Sequence, residues 1–435
     1  MTARSRFAVM QPEQTLALED IDLSDPLFWA RSPEEREGAF LTLREEDPIR
    51  FFEEPIVSEL MPPGRGYYSL TRHADVLEAS KHPAVFCSGE GTNIPDMPTP
   101  FLEFLGSMIN MDDPKHARMR RIVSRGFTPR QLDLMKGDVE GTATEIVDAV
   151  IDRGEGDFVT DVAATLPLRI IVDMMGIPRS EEKFIFDRTN VILGLGDPEY
   201  VPDQTETGIM TALLGAAQDL SNLITELGEA RMRDPQNDLT TALVTAEVDG
   251  ETLTPSELAS FFVLLVVAGN ETTRNAISHG LLALTQNPEQ RAAWQADFDA
   301  LAPGAVEEIV RWATPVIHFR RTVTQDGVRI GDQELNTGDK VVLWYASANR
   351  DAAVFDDPFR FDLQRTPNDH LGFGGPGPHF CLGAHLARRE ITVMFRELLR
   401  RVPDIHAVGD PVRLQSNFIN GIKHLPAAWT PAGAR

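Results

Sequence analysis

Apolar positions recur with a period near 3.6 through most of the chain, which predicts helices. They fall at Arg36–Glu46 and Arg72–Ser80, then at about 113–126, 130–153, 157–176, 180–194, 206–233 and 238–248. Short runs rich in β-branched and aromatic residues at Gly66–Leu70, Arg320–Val323, Val328–Ile330 and Lys340–Tyr345 predict strands. From Phe86 to Met111 the chain is rich in Pro, Gly, Ser and Asn, which predicts a long loop holding one helical piece. The strongest pattern opens at Thr254-Pro-Ser-Glu257, a capping box with proline in the first turn, and closes at Asn287-Pro288. About 33 residues make a rod of roughly 50 Å. Its middle is apolar, so it must cross the interior. The expected fold class is mainly α with small β-sheets. No repeat or flexible linker divides the chain, so one domain is expected over residues 1–435, with strands gathered mainly at 40–75 and 316–346.

Composition narrows the partners. The formal net charge of -25 disfavours nucleic acid or an anionic membrane as partner. One stretch runs against it: Arg118, Arg120, Arg121, Arg125 and Arg130 crowd the segment His116–Arg130. That patch reads either as a solvated helix face or as a dock for an acidic partner. The longest apolar run, Phe261–Ala268, is far short of the roughly 18 residues of a membrane span. The opening MTARSRFAVMQPEQ has no apolar core of a secretory leader, and two cysteines make no disulfide framework. A cytoplasmic monomer is expected.

Three places carry candidate chemistry. In the middle of the long helix, Ala268-Gly-Asn-Glu-Thr-Thr273 sets a glycine, a carboxylate and a hydroxyl in an apolar segment. Gly269 either serves packing, with Thr272 bonded back to the preceding turn, or opens a groove over a flat ligand, with Glu271 and Thr272 delivering protons. Glu308 and Arg311, spaced i, i+3, can pair on one helix face. In GFGGPGPHFCLGAHLARRE (Gly372–Glu390), Cys381 ends a loop poor in side chains and begins a helical pattern. A helix N-terminus favours an anion, so a thiolate is expected there. An inert buried cysteine and a zinc site with His379 and His385 are the alternatives.

Together these segments resemble the cytochrome P-450 family over nearly the whole chain. Its cofactor loop is similar to Phe373, Gly374, Gly377, His379, Cys381 and Gly383, its central helix to Ala268, Gly269, Glu271, Thr272 and Thr273, and its Glu-x-x-Arg to Glu308 and Arg311. His116 and Arg120 resemble the family's His-x-x-x-Arg, and Arg321 its second propionate contact. The loop from Phe373 to Cys381 is one residue longer than usual. It resembles a soluble bacterial branch that hydroxylates methyl-branched lipids and sterol side chains, as do Asp173–Pro178, Thr189–Leu193, Leu265–Asn275 and Phe418–Lys423.

The resemblance implies the triangular-prism fold, with the long helix over heme b, and Cys381 thiolate as the iron's axial ligand. It implies His116, Arg120, Arg321 and His379 on the propionates, with Phe373, Gly383 and Ala268 beside the cofactor. Glu271 and Thr272 would serve proton delivery, while Glu308, Arg311 and Arg360 brace the fold. The activity implied is hydroxylation of a hydrophobic lipid or sterol-like substrate with O2, most simply at a terminal methyl. An apolar funnel to hold it would draw on Leu105, Ile109, Leu193, Leu264, Ala268, Val316, Ile317 and Phe418. Electrons would come from a ferredoxin and an NAD(P)H-dependent reductase, docking at Arg118, Arg121, Arg125 and Arg389, with Arg388 on the same face. A terpene or polyketide tailoring hydroxylase, a peroxide-using or rearranging heme-thiolate enzyme and a heme sensor are the alternatives.

Overall fold

The computed structural model describes residues 16–54, 64–127, 136–247 and 250–434. The opening MTARSRFAVMQPEQ and Arg130 lie outside them. Its principal helices are α1 (Pro33–Glu46), α2 (His73–Lys81), α3 (Thr99–Gly106), α4 (Lys115–Val123), α5 (Lys136–Val150), α6 (Thr165–Met175), α7 (Glu182–Leu193), α8 (Glu206–Arg233), α9 (Leu239–Val244), α10 (Pro255–Gln286), α11 (Pro288–Ala296), α12 (Phe298–Ala313) and α13 (Ala384–Arg401). The expected helices are present, several of them shorter. The stretch expected as one helix from 157 to 176 is a π turn, Val159–Ala163, running into α6.

The main sheet has the order β1-β2-β8-β5-β3, from Phe51–Phe52, Tyr67–Leu70, Lys340–Trp344, His318–Val323 and Phe86–Cys87. β2 runs parallel to β8 and the other pairings are antiparallel. A hairpin joins β6 (Val328–Ile330) to β7 (Gln333–Leu335). The sequence reading missed β1, β3, β4 (Glu155–Asp157), β7 and the C-terminal strands β9 (His406–Ala407), β10 (Val412–Arg413), β11 (Ile422–His424) and β12 (Pro426–Ala428). Two or three residues are too few to show an alternation, so distant pairing alone defines them.

α10 forms because its start is doubly capped. Thr254 Oγ1 accepts from Glu257 N at 3.2 Å and Glu257 Oε2 accepts from Thr254 N at 2.8 Å. Its first half, including Phe261, Phe262 and Val266, packs into one core with α6 and α8. Its second half, from Ala276 to Leu284, packs into another with α5, α12 and α13. The turn between the two halves borders a cavity.

The chain from α12 to the cysteine loop is held by one buried carboxylate. Glu308 takes Arg311 Nε and Nη2, both at 2.7 Å, and neither residue is exposed. The second guanidinium on it is that of Arg365, with Nε at 3.1 Å, and not of the expected Arg360. The Arg360 side chain is 61% exposed and reaches only Asp362, at 4.0 Å. It is the Arg360 carbonyl that serves here, accepting from Arg311 and Arg365. The segment turns between 360 and 365, so the later arginine faces inward. Arg365→Ala is therefore expected to cost about 3 kcal/mol by leaving buried charge poorly paired, and Arg360→Ala less than about 0.5 kcal/mol. Chemical unfolding of the two variants checks this.

Candidate active site

The cysteine loop is moulded from outside. Gly374 has φ +82° and Gly377 φ +149°, and a Cβ on Gly377 would stand 2.5 Å from the Ser80 carbonyl at the end of α2. Phe373 O accepts from Cys381 N at 3.0 Å, and Arg388 lies 4.4 Å over the Phe373 ring while pairing with Glu307 at 2.6 Å. The helix begins later than expected, with Gly383 as N-cap of α13, so Cys381 precedes the cap by two residues. Burial pushes its thiol pKa up, against the Gly383 N–H and the charges of Arg120 and Arg388. Helix position alone does not hold a thiolate here. A cation at the sulfur would.

Beside the loop, four nitrogen-bearing side chains converge on the same cavity: His116, Arg120, Arg321 and His379. The His116 and His379 rings lie 4.4 Å apart. His116 Nδ1 is 3.6 Å from Asp113, but its buried Nε2 has no partner. Burial and then the Arg321, His116 and Arg120 charges push His379 down to about 2. Burial and then Arg120 also lower His116, outweighing Asp113. His116 and Arg321 are buried and Arg120 and His379 half-buried; two guanidiniums and two imidazoles facing one cavity fit the anionic edge of a broad cofactor. Gly383, where an added Cβ would meet nothing within 4 Å, leaves room beside the sulfur.

α10 forms the opposite wall. Thr272 borders the cavity, and its hydroxyl donates to Ala268 O at 2.7 Å. Glu271 does not border the cavity and turns toward α7 instead. It is buried against Arg274, accepts from Asn275 Nδ2 at 3.0 Å, and Arg274 in turn reaches Asn190 on α7. Gly269 borders the cavity but also serves packing, since a Cβ there would meet Ile171 Cδ1 at 2.7 Å. The sequence reading missed Glu390. This carboxyl, nine residues beyond Cys381, is buried at the cavity edge and bonded to the Thr273 side chain; burial pushes it up to about 8. Its place in LARRE carried no signal apart from an ordinary helix charge.

The cavity measures about 210 Å³. Of the expected apolar residues, Ile109, Leu264, Ala268 and Val316 line it; Leu105, Leu193, Ile317 and Phe418 do not. Ile317 follows Val316 in an extended segment and so points to the other side, into the core with Trp29 and Trp344. Phe418 stands behind Phe319, with ring centroids 5.6 Å apart, and Phe319 is the residue that faces the cavity. Met108, Ile171, Met174, Phe261 and Leu265 complete the wall. At helical spacing they look like any core residues. On the basic face, Arg118 is taken up by Glu251, Glu257 and Thr252 O, which ties α4 to the start of α10 and removes it from the docking set. Arg121 is exposed, and Arg389 lies 3.9 Å from Glu140.

Comparison with known proteins places this geometry. The family model described as cytochrome P-450 matches residues 184–403. A methyl-branched lipid omega-hydroxylase of Mycobacterium tuberculosis is 51% identical over 423 residues, 96% of this chain and 97% of that one. A steroid C26-monooxygenase of Mycolicibacterium smegmatis is 39% identical over 396 residues, 90% of each. The solved structure of a Mycobacterium marinum cytochrome P-450 in complex with pseudoionone has a TM-score of 0.90 and 42% identity, covering 95% of this chain and 99% of that one.

Glu390 offers a test of the cavity edge. A carboxyl whose folded pKa is raised stabilises the fold fully below its unfolded value, and that stability is lost as pH rises through the folded one. The thermal midpoint of Glu390→Gln relative to the unchanged protein should therefore climb from pH 5 to 8 and level off above. Parallel curves would show that Glu390 does not titrate in this range.

Proposed function

This chain belongs to the cytochrome P-450 family and carries that family's heme and cysteine-thiolate chemistry; from this we propose that Cys381 is the ligand and that the reaction is hydroxylation of the terminal methyl of a branched lipid or sterol side chain. The observation that carries the reading is the wall opposite Cys381: apolar from Met108 to Phe319, with Thr272 as the hydroxyl on α10. When bound, heme supplies reductive activation of O2 and insertion of one oxygen atom into a C–H bond. The protein's part is placement. Ile171, Met174, Leu264 and Val316 hold an alkyl end by excluding water, at about 0.8 kcal/mol per buried methylene. A branched end fills such a wall better than a linear one, and a terminal methyl must be held while weaker inner C–H bonds are kept away. His116, Arg120, Arg321 and His379 would hold the propionates through charge-assisted bonds, relieving the His116 Nε2 left unpartnered.

Thr272 is the hydroxyl placed to hand on a proton, after turning from the Ala268 carbonyl toward the cavity. Glu271 would act from behind it, held by Arg274 and Asn275, as a reservoir linked to α7. Electrons would arrive from a ferredoxin reduced by an NAD(P)H-dependent reductase. The support is the basic face of α4 and α13 beside the cysteine loop, on a chain of net charge -25. A second reading, a terpene-type substrate, is favoured by the relative solved with pseudoionone.

Titration of the ferric protein with a methyl-branched isoprenoid acid is expected to give a strong low- to high-spin shift, and an unbranched acid of equal length a weak one. Equal shifts would remove the branched-lipid reading, and a tighter response to pseudoionone would favour the second. Val316→Ala should widen the wall and move product hydroxyl from the terminal carbon to inner ones, read by mass spectrometry. Arg121→Glu should slow the first electron transfer from ferredoxin and flatten its salt dependence; unchanged reduction kinetics would remove the docking face.

A further inference from the structure

A second, separate cavity of about 80 Å³ lies between α1, the second half of α10, the end of α12 and β10. Its character is opposite to the first. Three guanidinium groups line it: Arg36 from α1, Arg350 and Arg413 from β10. Arg311 and Arg365 lie on Glu308, Arg274 on Glu271, and Arg320 on Asp96, whereas buried Arg44 bonds only to the Ser347 carbonyl and hydroxyl. In this cavity the pairing is loose. Arg350 is 3% exposed; it donates to the Arg311 and Trp312 carbonyls at 3.1 and 2.8 Å, but its buried Nε has no hydrogen bond. The Arg36 Nε is also buried without a partner.

The local charges leave a deficit of anion. The carboxylates of Glu34 and Glu37 line the same space; Arg350 Nε is paired with Glu37 at 3.9 Å, too long for a hydrogen bond, and Glu37 Oε2 is itself buried without a donor. His279 also faces it, with Nε2 on the Asn420 carbonyl at 3.0 Å, and burial followed by the Arg413 charge pushes it down to about 3, so it is neutral. Three cations against two carboxylates leave one positive charge in excess. Burial lowers Arg413 to about 10, and the neighbouring Arg36 opposes its charge further. Arg350 is buried, while Arg36 and Arg413 are half-buried; neighbouring guanidiniums do not offset one another, and an oxyanion between them would.

We propose that this cavity is an anion site that takes a small oxyanion, a phosphate, sulfate or carboxylate, between Arg36, Arg350 and Arg413. The site stands apart from the proposed reaction. The Asn420 beside it donates to Ala313 O at 2.7 Å, and the adjoining Ile419 bridges to Val316 of the first cavity. An anion here braces the C-terminal segment that backs that wall.

The test is calorimetric titration of the heme-loaded protein, in which the other cationic cluster is occupied, with inorganic phosphate at constant ionic strength. The expected result is saturable binding to one site, competed by sulfate and not by chloride, with an acetate arm separating carboxylates from tetrahedral oxyanions. Arg413→Gln and Arg36→Gln should each raise Kd about tenfold or more, while the heme absorption band and its spin shift on substrate persist. Heat that does not saturate, equal competition by chloride, or a Kd unchanged in both variants would overturn the proposal. Because the unchanged protein alone can give the first two results, a variant that fails to fold leaves the test intact.

Discussion

Glu308 is the carboxylate on which the cysteine side of the molecule depends. Besides Arg311 and Arg365 it accepts the Asp362 N–H at 2.9 Å and Asn368 Nδ2 at 3.3 Å. A carboxylate with no exposure is tolerable only when its lone pairs are filled in this way. The filling fastens the 356–368 segment to α12. From there Asn349 continues the chain of contacts: its Nδ2 donates to Thr314 Oγ1 at 2.9 Å and its Oδ1 accepts the Leu371 N–H at 2.7 Å. Gly372 then passes so close to Val310 that a Cβ would stand 2.6 Å from Cγ1. The placement of Cys381 is thus inherited from a buried ion pair, Glu308 and Arg311, that lies far earlier in the chain.

The opposite wall is set by a different physics. Among the described residues, α10 carries no salt bridge to the cysteine loop. Its position is fixed by two apolar cores, one on each half, and by the Arg118 clamp on Glu257 at its start. Between the two cores the helix presents small and hydroxylated residues, Ala268, Gly269, Thr272 and Thr273, to open space. The site is the gap left where a rod held at both ends passes a loop held by charge.

Much of this was legible in the sequence because it rests on local rules. The capping box at Thr254 and the proline at 288 bounded α10 to within a residue. The glycine-rich run before Cys381 announced a loop. What escaped depended on direction in space. Sequence spacing does not say which way each neighbour turns: Thr272 and Val316 border the cavity while Glu271 and Ile317 turn away from it. The choice between Arg360 and Arg365 turns on how an irregular segment folds back, which no periodicity records. Glu390 looked like a surface charge in a run of charges, and only the packing of α13 against α10 buries it.

The division of α10 between two cores has a bearing on how the molecule breathes. A helix lodged in a single core is protected as one piece. This one is shared by two bodies of packing that meet near residues 267–273, so each half can exchange its amide protons on the timescale of its own neighbours. The seam between the two cores lies within the stretch of α10 that borders the cavity. Small relative displacements of the two bodies would therefore reshape that space without breaking the contacts inside either.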